Sequence, residues 1–546
     1  MDKEFFKNKK DCYGHSAFTI KKYYVHFDSK ISMAECWDYI SDPNKVAHHN
    51  FFPFIKYEKI FKKCVPHINT DTNKVEKGIR DIKFKKREIC YASHIDGCIY
   101  EYYAAELNDA YNRALREANI DYDLNDKTYS SVIAYRTNMN GKSNIHYAHE
   151  AFEFIRSKKE CMVIVGDFKS FFDRLNHSYL KQQLKIILNM KNLSDDWYSV
   201  FKSITKYSYV DLGQLIFRTC RGNTECFKQQ YVSNKNIKED DACASENKFC
   251  CRYNYCKANN VQNSYGGIQK YASSTKQEAD KYNQGKCLNR YCQKIFNGRE
   301  KIDIKFVRDN KLIKIPHRYN DNGKYEAMGI PQGSAISAVL ANVYMYEFDS
   351  KITKYVRALG GLYMRYSDDF IIVLPKDDNF NIHLKYLKDE VKKVHVILED
   401  KKTQVFSVDL DAPKQLESCS SKYFEGIQDG KDAIDYLGFT FDGKDVTIKS
   451  KTIFKYYYRM YSKIKYIKRS WKLKGKYSAG TANLYKRYSS LNFHWVNHNP
   501  NEKHNYTVGN FLTYVKRVKY VFTNDPNIDL PIRHHVQKIV SRLNRE

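Results

Sequence analysis

The chain has 546 residues, of which 92 are lysine or arginine and 63 are aspartate or glutamate, giving a formal net charge of +29. This length is enough for two to four domains, and the positive excess favours a polyanionic partner because neutralised phosphates release counterions. No apolar run approaches the roughly 18 residues of a membrane-spanning helix, and the first residues lack a signal-peptide pattern. We expect a cytoplasmic protein with no membrane partner and with reduced cysteines.

The N-terminal part of the sequence contains strand and helix patterns but few chemical signals. Residues 1–80 mix aromatic and basic side chains and are expected to form an N-terminal extension. Residues 82–89 alternate apolar and basic side chains at both ends, which is typical of a strand with one cationic face. Leu107, Tyr111 and Leu115 then follow helical spacing. The basic strand fits either a solvated surface or a bound anion.

An acidic residue ends the first strongly apolar strand. Residues 161–165 are apolar, and Gly166 and Asp167 follow them directly. The pattern predicts a buried strand that carries a carboxylate at its end.

A long polar segment, residues 181–324, has the composition of an insertion, since it is rich in asparagine, lysine and cysteine. Eight cysteines lie between Cys220 and Cys292, and none belongs to a Cys-X-X-Cys pair. Thiols are therefore favoured over a structural metal site. The sequence does not choose among RNA binding, oligomerisation and covering of the active site as the role of this segment.

A turn followed by a helix is predicted after the insertion. Residues 329–333 contain a proline and two glycines, and Ser334 is a good N-cap residue. The apolar positions of the helix then repeat at three and four residues, at Ile336, Val339, Leu340 and Val343. A glycine turn at a helix start lets the backbone approach a nucleotide closely.

Two adjacent carboxylates, Asp368 and Asp369, lie between the apolar runs 362–366 and 370–374. The stretch predicts a β-hairpin with acids at its tip, and alignment of the two strand ends would bring Asp167 and Asp368 together. Convergent carboxylates repel unless a cation lies between them. Hard oxygen ligands with room for substrate phosphates suit Mg²⁺, and a pair of such ions is the usual device for in-line displacement at phosphorus.

The C-terminal segment is strongly basic, with 21 lysines and arginines and 4 acids from Lys449 to Glu546. A helical domain that grips nucleic acid is one interpretation, and a solvated basic helix is the other. Aromatic and apolar residues in this segment recur at the spacing of one helix face, at Phe454, Tyr457, Tyr458, Tyr461 and Ile464.

Three of these motifs resemble those of reverse transcriptases, in the order of that family. Residues 366–369 resemble the Tyr-X-Asp-Asp box, residues 167–173 the first catalytic motif, and residues 329–334 the Pro-Gln-Gly motif. Residues 96–104 and 135–145 further resemble the fingers of bacterial reverse transcriptases of the defence-associated, or abortive-infection, type.

The resemblance implies an α+β fold, a right-hand polymerase with fingers, an antiparallel-sheet palm and a helical thumb. After the extension 1–80, the fingers are expected at 81–160 and the palm at 161–180 and 325–445. The insertion 181–324 interrupts the palm, and a basic thumb-like domain follows at 446–546.

The catalytic roles that the resemblance implies fall on few residues. Asp167 and Asp368 are expected to hold two Mg²⁺ ions, for which Mn²⁺ could substitute, with Asp369 as a supporting ligand. The backbone carbonyl of Phe168 completes one coordination shell. Lys402 lies where the family carries a lysine that protonates the leaving pyrophosphate.

Nucleotide contacts are implied in the same way. Phe172 lies where the family places a steric gate that excludes a 2′-hydroxyl, and Gln332 and Gly333 are expected at the incoming nucleotide. Contacts to the triphosphate or the template are assigned to three cations and, less securely, to a fourth: Lys85, Arg87, Arg136 and Lys142.

The implied function is RNA-directed DNA synthesis from deoxynucleotides in antiphage defence, with RNA as template and a dedicated non-coding RNA as partner. Homo-oligomerisation and a DNA product are also expected. One alternative is untemplated or protein-primed DNA synthesis by the same site. The others are an RNA-dependent RNA polymerase, against which Phe172 argues, and a non-catalytic RNA-binding scaffold.

Overall fold

A computed structural model describes residues 2–8, 18–22, 24–68, 75–124, 127–139, 141–212, 302–309, 311–316, 323, 326–474, 480–489 and 510–544. The cysteine-rich part of the predicted insertion lies outside these residues. The chain forms two compact units. The first includes Ala17–Leu107 and Leu175–Leu340, and the second includes Asn108–Arg174 and Ala341–Glu546.

Sixteen α-helices lie in the described residues. Their bounds are α1 Lys3–Asn8, α2 Met33–Ile40, α3 Pro43–Ala47, α4 His94–Glu117, α5 Asn144–Lys158, α6 Phe171–Arg174, α7 His177–Ile187, α8 Asp195–Thr205, α9 Ile304–Asp309, α10 Ala335–Tyr344, α11 Tyr346–Ala358, α12 Phe380–Lys393, α13 Ser450–Lys474, α14 Thr481–Tyr488, α15 Phe511–Val521 and α16 His535–Asn544. No helix in the described part of the chain has the length and apolar character needed to cross a membrane.

The first unit contains a four-stranded sheet with the order β2-β1-β6-β7. Its strands are β1 Phe54–Ile68, β2 Val75–Tyr91, β6 Tyr209–Asp211 and β7 Ile313–Lys314. β1 and β2 pair antiparallel over almost their whole length. This hairpin continues across the boundary predicted at residue 80, because β1 belongs to the residues predicted as an extension and β2 continues into those predicted as fingers.

The second unit is built on a five-stranded antiparallel sheet with the order β11-β10-β5-β9-β8. Its strands are β5 Glu160–Asp167, β8 Leu362–Tyr366, β9 Asp369–Pro375, β10 Gln404–Asp409 and β11 Leu416–Ser418. The strand predicted to end at Asp167 and the predicted acidic hairpin are both confirmed. They form because apolar residues fill the central strands on both faces, with burial patterns that leave only the ends accessible.

Smaller elements complete the second unit. A three-stranded sheet joins β12 Ile434–Tyr436, β13 Phe439–Phe441 and β14 Val446–Ile448, and a two-stranded ribbon joins β3 Tyr122–Leu124 and β4 Lys127–Tyr129. One continuous apolar core includes residues of α5, the five-stranded sheet, β12–β14 and the C-terminal helices α13–α16. Helices α13–α16 make up most of the described part of the C-terminal basic segment.

Candidate active site

The end of β5 brings the first predicted carboxylate beside the acidic hairpin. Asp167 and Asp369 are register partners on the antiparallel pair β5 and β9. Tyr366 pairs with Asp369 across the hairpin, so Ser367 and Asp368 form a two-residue turn at its tip. The structure therefore brings the three predicted acids Asp167, Asp368 and Asp369 together at one end of the sheet. Like charges directly opposite each other destabilise a strand pair unless they are compensated.

The turn that carries Asp368 has a strained backbone. Ser367 has φ of 62°, in the left-handed region that non-glycine residues rarely adopt. The backbone carbonyl of Asp368 accepts a hydrogen bond of 3.1 Å from the N–H of Phe168, which follows directly after Asp167. This bond fixes the turn against the end of β5. Strain that the surrounding structure maintains is characteristic of functional sites.

A buried arginine, Arg365, stabilises the turn of Ser367 and Asp368. Arg365 is fully buried, and its guanidinium forms a bidentate ion pair with Asp349, at 2.8 and 2.6 Å. Its remaining nitrogen, Nη1, donates to the carbonyl of Ser367 at 2.8 Å. Tyr363 donates to the same Asp349 carboxylate at 2.7 Å. Because a buried charge without its partner is costly, this network resists any displacement of the hairpin tip.

Lys402 lies beside the first of these carboxylates. Its Nζ donates to Oδ2 of Asp167 at 3.0 Å. The loop that carries Lys402 is fixed to the strand end by two backbone bonds, from Glu399 N–H to the Asp167 carbonyl and from Lys169 N–H to the Ile397 carbonyl. The loop therefore positions an ammonium group beside the first catalytic acid.

Burial and the neighbouring carboxylates both disfavour the charged form of Asp369. Loss of water around its carboxylate, with the negative charges of Asp368 and Asp167, raises the pKa of Asp369 to about 6. Carboxylate oxygens are ligands that hard divalent cations prefer, so the donor chemistry fits such an ion. The described residues contain no group of three acidic, histidine or cysteine side chains already arranged to hold a metal. Water and substrate phosphates would supply the missing ligands.

The raised pKa of Asp369 predicts a pH-dependent stability of the metal-free protein. The folded state binds this proton more tightly than the unfolded state, whose pKa is about 4. The stabilisation is present below about pH 4 and is lost as pH rises through about 6. In EDTA, Asp369→Asn should therefore gain melting temperature relative to wild type between pH 4 and 7.

The control for this comparison is Asp411→Asn, which removes an exposed carboxylate on another loop. Its melting temperature should keep a constant offset from wild type across the same pH range. An equally constant offset for Asp369→Asn would contradict the repulsion described at the site.

The aromatic residues after Asp167 divide into buried and accessible rings. Phe168 is buried, with its ring 5.3 Å from that of Phe370, and Phe171 is also buried. Phe172 is half-buried and packs edge-to-face on Phe171 at 5.7 Å. The Phe168 N–H donates to the Asp368 carbonyl, so the backbone of Phe168 lies beside that turn.

The turn of Gln332 and Gly333 lies against the end of β2 in the first unit. The Cys90 N–H donates to the Gln332 carbonyl at 2.7 Å. Gly333 has φ of 121°, and a Cβ added there would lie 2.4 Å from the Cys90 carbonyl oxygen. α10 begins directly after Ser334, as predicted, but the buried Ser334 hydroxyl has no hydrogen-bond partner among the described residues and does not act as a cap.

The two faces of the β1–β2 hairpin carry different charge. On one face Lys56 pairs with Glu88 at 3.1 Å and Lys86 pairs with Glu58 at 3.2 Å. The opposite face carries the predicted Lys85 and Arg87, both exposed, with Arg87 over the ring of Phe61 at 5.6 Å and Lys59 opposite Arg87 in the strand register. The predicted cationic face therefore exists on residues of the first unit.

Arg136 occupies a position that contradicts its predicted contact with triphosphate or template. Its side chain is fully buried and forms an ion pair with the equally buried Asp121. Its other donors reach Asn112 at 2.9 Å, Ser130 at 2.7 Å and the Val132 carbonyl at 3.1 Å. Arg136 is a structural anchor, because its guanidinium is enclosed and each of its nitrogens donates a hydrogen bond. Lys142, the less secure assignment, lies 3.6 Å from Glu150.

Two residues at the site had no role in the sequence interpretation. Arg365 carries a signal in retrospect, since it is a cation inside an otherwise apolar strand, and such a residue requires a buried partner. Tyr135 is exposed and has φ of 60°, yet its hydroxyl lies 3.1 Å from that of Ser367. No local pattern indicates that contact, because the two residues lie 232 positions apart.

One part of the chain matches a known protein family. Residues 280–441 match the family described as Reverse transcriptase (RNA-dependent DNA polymerase). This range includes the turn of Gln332, both acids of the hairpin and Lys402, and it begins after Asp167. A search of curated proteins finds no match.

Similar solved structures include two telomerases. Apo telomerase from Candida tropicalis, truncated from its C-terminal domain, is 13% identical, with a TM-score of 0.32 and coverage of 77% of this chain and 61% of that chain. Telomerase from Candida albicans, in complex with a fragment of telomeric RNA, is 12% identical, with a TM-score of 0.31 and coverage of 94% and 60%. The chain thus spans about three fifths of the length of these structures.

An antiparallel sheet with Asp167 at one strand end and Asp368 and Asp369 at an adjacent hairpin defines the fold class as a right-hand polymerase with an α+β fold. The part of the chain that matches a family model, residues 280–441, matches that of the reverse transcriptases.

Proposed function

We propose that this enzyme extends a DNA strand by attack of its 3′-hydroxyl on the α-phosphate of a deoxynucleoside triphosphate, with RNA as template. The observation that carries the proposal is the register of Asp167 opposite Asp369, with Asp368 in the intervening turn. Two Mg²⁺ ions held there, with Mn²⁺ as a substitute, would activate the hydroxyl and neutralise the departing pyrophosphate.

The side chains around the acids supply the rest of the chemistry. The new bond joins the 3′-oxygen to the α-phosphorus, and the bond between the α-phosphorus and the bridging oxygen breaks. Lys402, already beside Asp167, is the proposed donor of a proton to the pyrophosphate. Phe172 is the proposed gate against a 2′-hydroxyl, since its ring is half-buried and is held by Phe171.

The proposed site for the incoming triphosphate lies on the first unit. The turn of Gln332 and Gly333 is bonded to Cys90, three residues beyond Arg87 along the same strand. Lys85 and Arg87 lie on the cationic face of that hairpin and are the proposed phosphate contacts. Because Gly333 is packed against β2, the backbone of the turn is held in a defined position for contact with the nucleotide.

Gly333→Ala tests the close approach of the turn to β2. The added methyl group would lie 2.4 Å from the Cys90 carbonyl oxygen, so the turn must move away from β2. We expect kcat/KM for deoxynucleotides to fall about a hundredfold, because small misplacements of a substrate-positioning group have effects of this order. The measurement is steady-state incorporation on a primed RNA.

The matched control is Gly426→Ala, since Gly426 also has positive φ but a Cβ there meets nothing within 4 Å. It should retain wild-type kinetics. If Gly333→Ala had wild-type kinetics, the turn of Gln332 and Gly333 would not be part of the nucleotide site.

The C-terminal helix α13 supports a nucleic-acid partner. It has 25 residues, including nine lysines and arginines and no acid. The predicted helical spacing holds, but the packing face is shifted: Tyr457 and Ile464 are buried, whereas Phe454 and Tyr458 are 67% and 72% exposed. Exposed aromatic rings among cations are typical of surfaces that bind nucleic acid. We propose that this thumb-like helix contacts template or product.

We further propose that a dedicated non-coding RNA is the partner and that the biological role is antiphage defence in bacteria. The fingers sequences at 96–104 and 135–145 support this proposal through their resemblance to defence-associated reverse transcriptases. Untemplated or protein-primed synthesis by the same carboxylates is the alternative within the enzyme class.

The experiment is to purify the protein with its bound nucleic acid, add Mg²⁺ with each labelled deoxynucleotide, and sequence the product. A product complementary to one co-purified RNA is the expected result. A product that matches no RNA, or that stays attached to protein, would overturn templated synthesis in favour of the alternative.

A further inference from the structure

Tyr135 combines an exposed ring with a strained backbone directly beside the catalytic turn. Its ring is 43% exposed, and φ of 60° places its backbone in the left-handed region. Its hydroxyl donates to Ser367 Oγ at 3.1 Å, and Ser367 precedes Asp368. The ring of Tyr366 lies 6.5 Å away at a tilt of 47°, so this neighbour leaves much of the Tyr135 ring accessible.

Buried amides hold this conformation from both sides. Asn342 Nδ2 donates to the Ala134 carbonyl at 2.7 Å, and Asn108 Nδ2 donates to the Tyr135 carbonyl at 2.7 Å. Both asparagines are buried, at 1% and 3% exposure. The left-handed region is unfavourable for tyrosine, so the conformation persists because these bonds enforce it.

The flanking residues fix the direction in which Tyr135 faces. Ile133 N–H donates to the Arg365 carbonyl at 3.1 Å, which joins the segment to β8. Arg136 enters the interior and bonds to Asp121. Because Ile133 is hydrogen-bonded to β8 and the Arg136 side chain is buried, the backbone between them leaves the Tyr135 ring exposed next to Ser367.

We propose that Tyr135 is a substrate-contacting residue whose ring packs on the terminal base pair of the growing strand. This inference rests on the proposed function. A 3′-hydroxyl that attacks at Asp167 and Asp368 brings its own nucleotide next to Ser367, the hydrogen-bond partner of Tyr135. A nucleobase offers the flat apolar face that an exposed tyrosine ring stacks on.

The test uses the full chain with a fluorescein-labelled DNA primer annealed to an RNA oligonucleotide. Tyr135→Leu removes the ring, Tyr135→Phe keeps it, and Tyr198→Leu is the matched control, since Tyr198 is also 43% exposed but lies on α8. We expect Tyr135→Leu to weaken primer–template binding about tenfold or more, with KM for the deoxynucleotide within about twofold of wild type. The Phe variant and the control should bind within about threefold of wild type.

If Tyr135 were merely structural, Tyr135→Leu would not weaken primer–template binding while leaving KM for the deoxynucleotide unchanged. Nor would Tyr135→Phe retain the binding that Tyr135→Leu loses. Wild-type binding by Tyr135→Leu would overturn the inference, as would equal losses in the Leu and Phe variants. A raised KM with unchanged binding would assign the ring to the incoming nucleotide instead. If the wild-type protein binds the duplex but extends no primer, the proposed function fails, and the inference fails with it.

Discussion

Asp368→Asn should lower deoxynucleotide incorporation by about three orders of magnitude and leave RNA binding within about threefold of wild type. The asparagine keeps the shape of the side chain but removes the charge that would hold a divalent cation beside the attacking oxygen, and losses of this size follow removal of a key charge-stabilising group. The turn itself should persist, because Ser367 is held by Arg365 and the Asp368 backbone carbonyl by Phe168.

The readouts for this variant are single-turnover incorporation and RNA affinity by filter binding. Asp411→Asn, with the same change of charge at an exposed position, should match wild type in both. Parallel loss of incorporation and RNA binding by Asp368→Asn would make the residue structural. Retained incorporation would remove it from the reaction.

Phe172→Ala should reduce the preference for deoxynucleotides over ribonucleotides about a hundredfold, mainly by improving ribonucleotide use. The half-buried ring lies five residues after Asp167 and is braced by Phe171 at 5.7 Å, so its removal opens space without uncovering a polar group. Rejection of an added hydroxyl by an apolar pocket has about this magnitude. The measurement is kcat/KM for dATP and ATP on one primed template.

A graded control is Phe172→Leu, which should give an intermediate preference because it restores part of the volume. A thermal melt of each variant distinguishes a change in nucleotide selection from a loss of folding stability, since truncation of a partly buried ring also destabilises the fold. An unchanged preference in a folded Phe172→Ala variant would reject the gate and reopen the interpretation as an RNA polymerase.

The elements around the site could be predicted from sequence because their signals are local. An apolar run that ends in Gly166 and Asp167 predicts a strand with an acid at its end, and two apolar runs around Asp368 and Asp369 predict a hairpin. The structure confirms both. Alignment of the two strand ends suggested that Asp167 meets the hairpin, and strand register provides that contact.

The predictions that failed concern cations and aromatic residues. Both kinds of residue occur in protein interiors as well as on surfaces, so residue type alone does not decide their location. Arg136 was assigned to substrate through the resemblance of its segment to a fingers motif, yet its side chain is buried in an ion pair with Asp121. Arg365 was overlooked, although it supports the catalytic turn. At α13, a shift of one residue in the packing face separates buried Tyr457 from exposed Tyr458. Long-range partners decide these cases, and spacing along the chain does not show them.

The most direct test of the central claim is extension of one DNA primer on four RNA templates that differ only in the first templating base. With Mg²⁺ and single deoxynucleotides, the account predicts that each template directs its complementary nucleotide, and that Asp368→Asn incorporates none at a comparable rate. Incorporation of the same nucleotide on all four templates would contradict templated synthesis. Equal activity of Asp368→Asn would contradict the assignment of the reaction to these carboxylates.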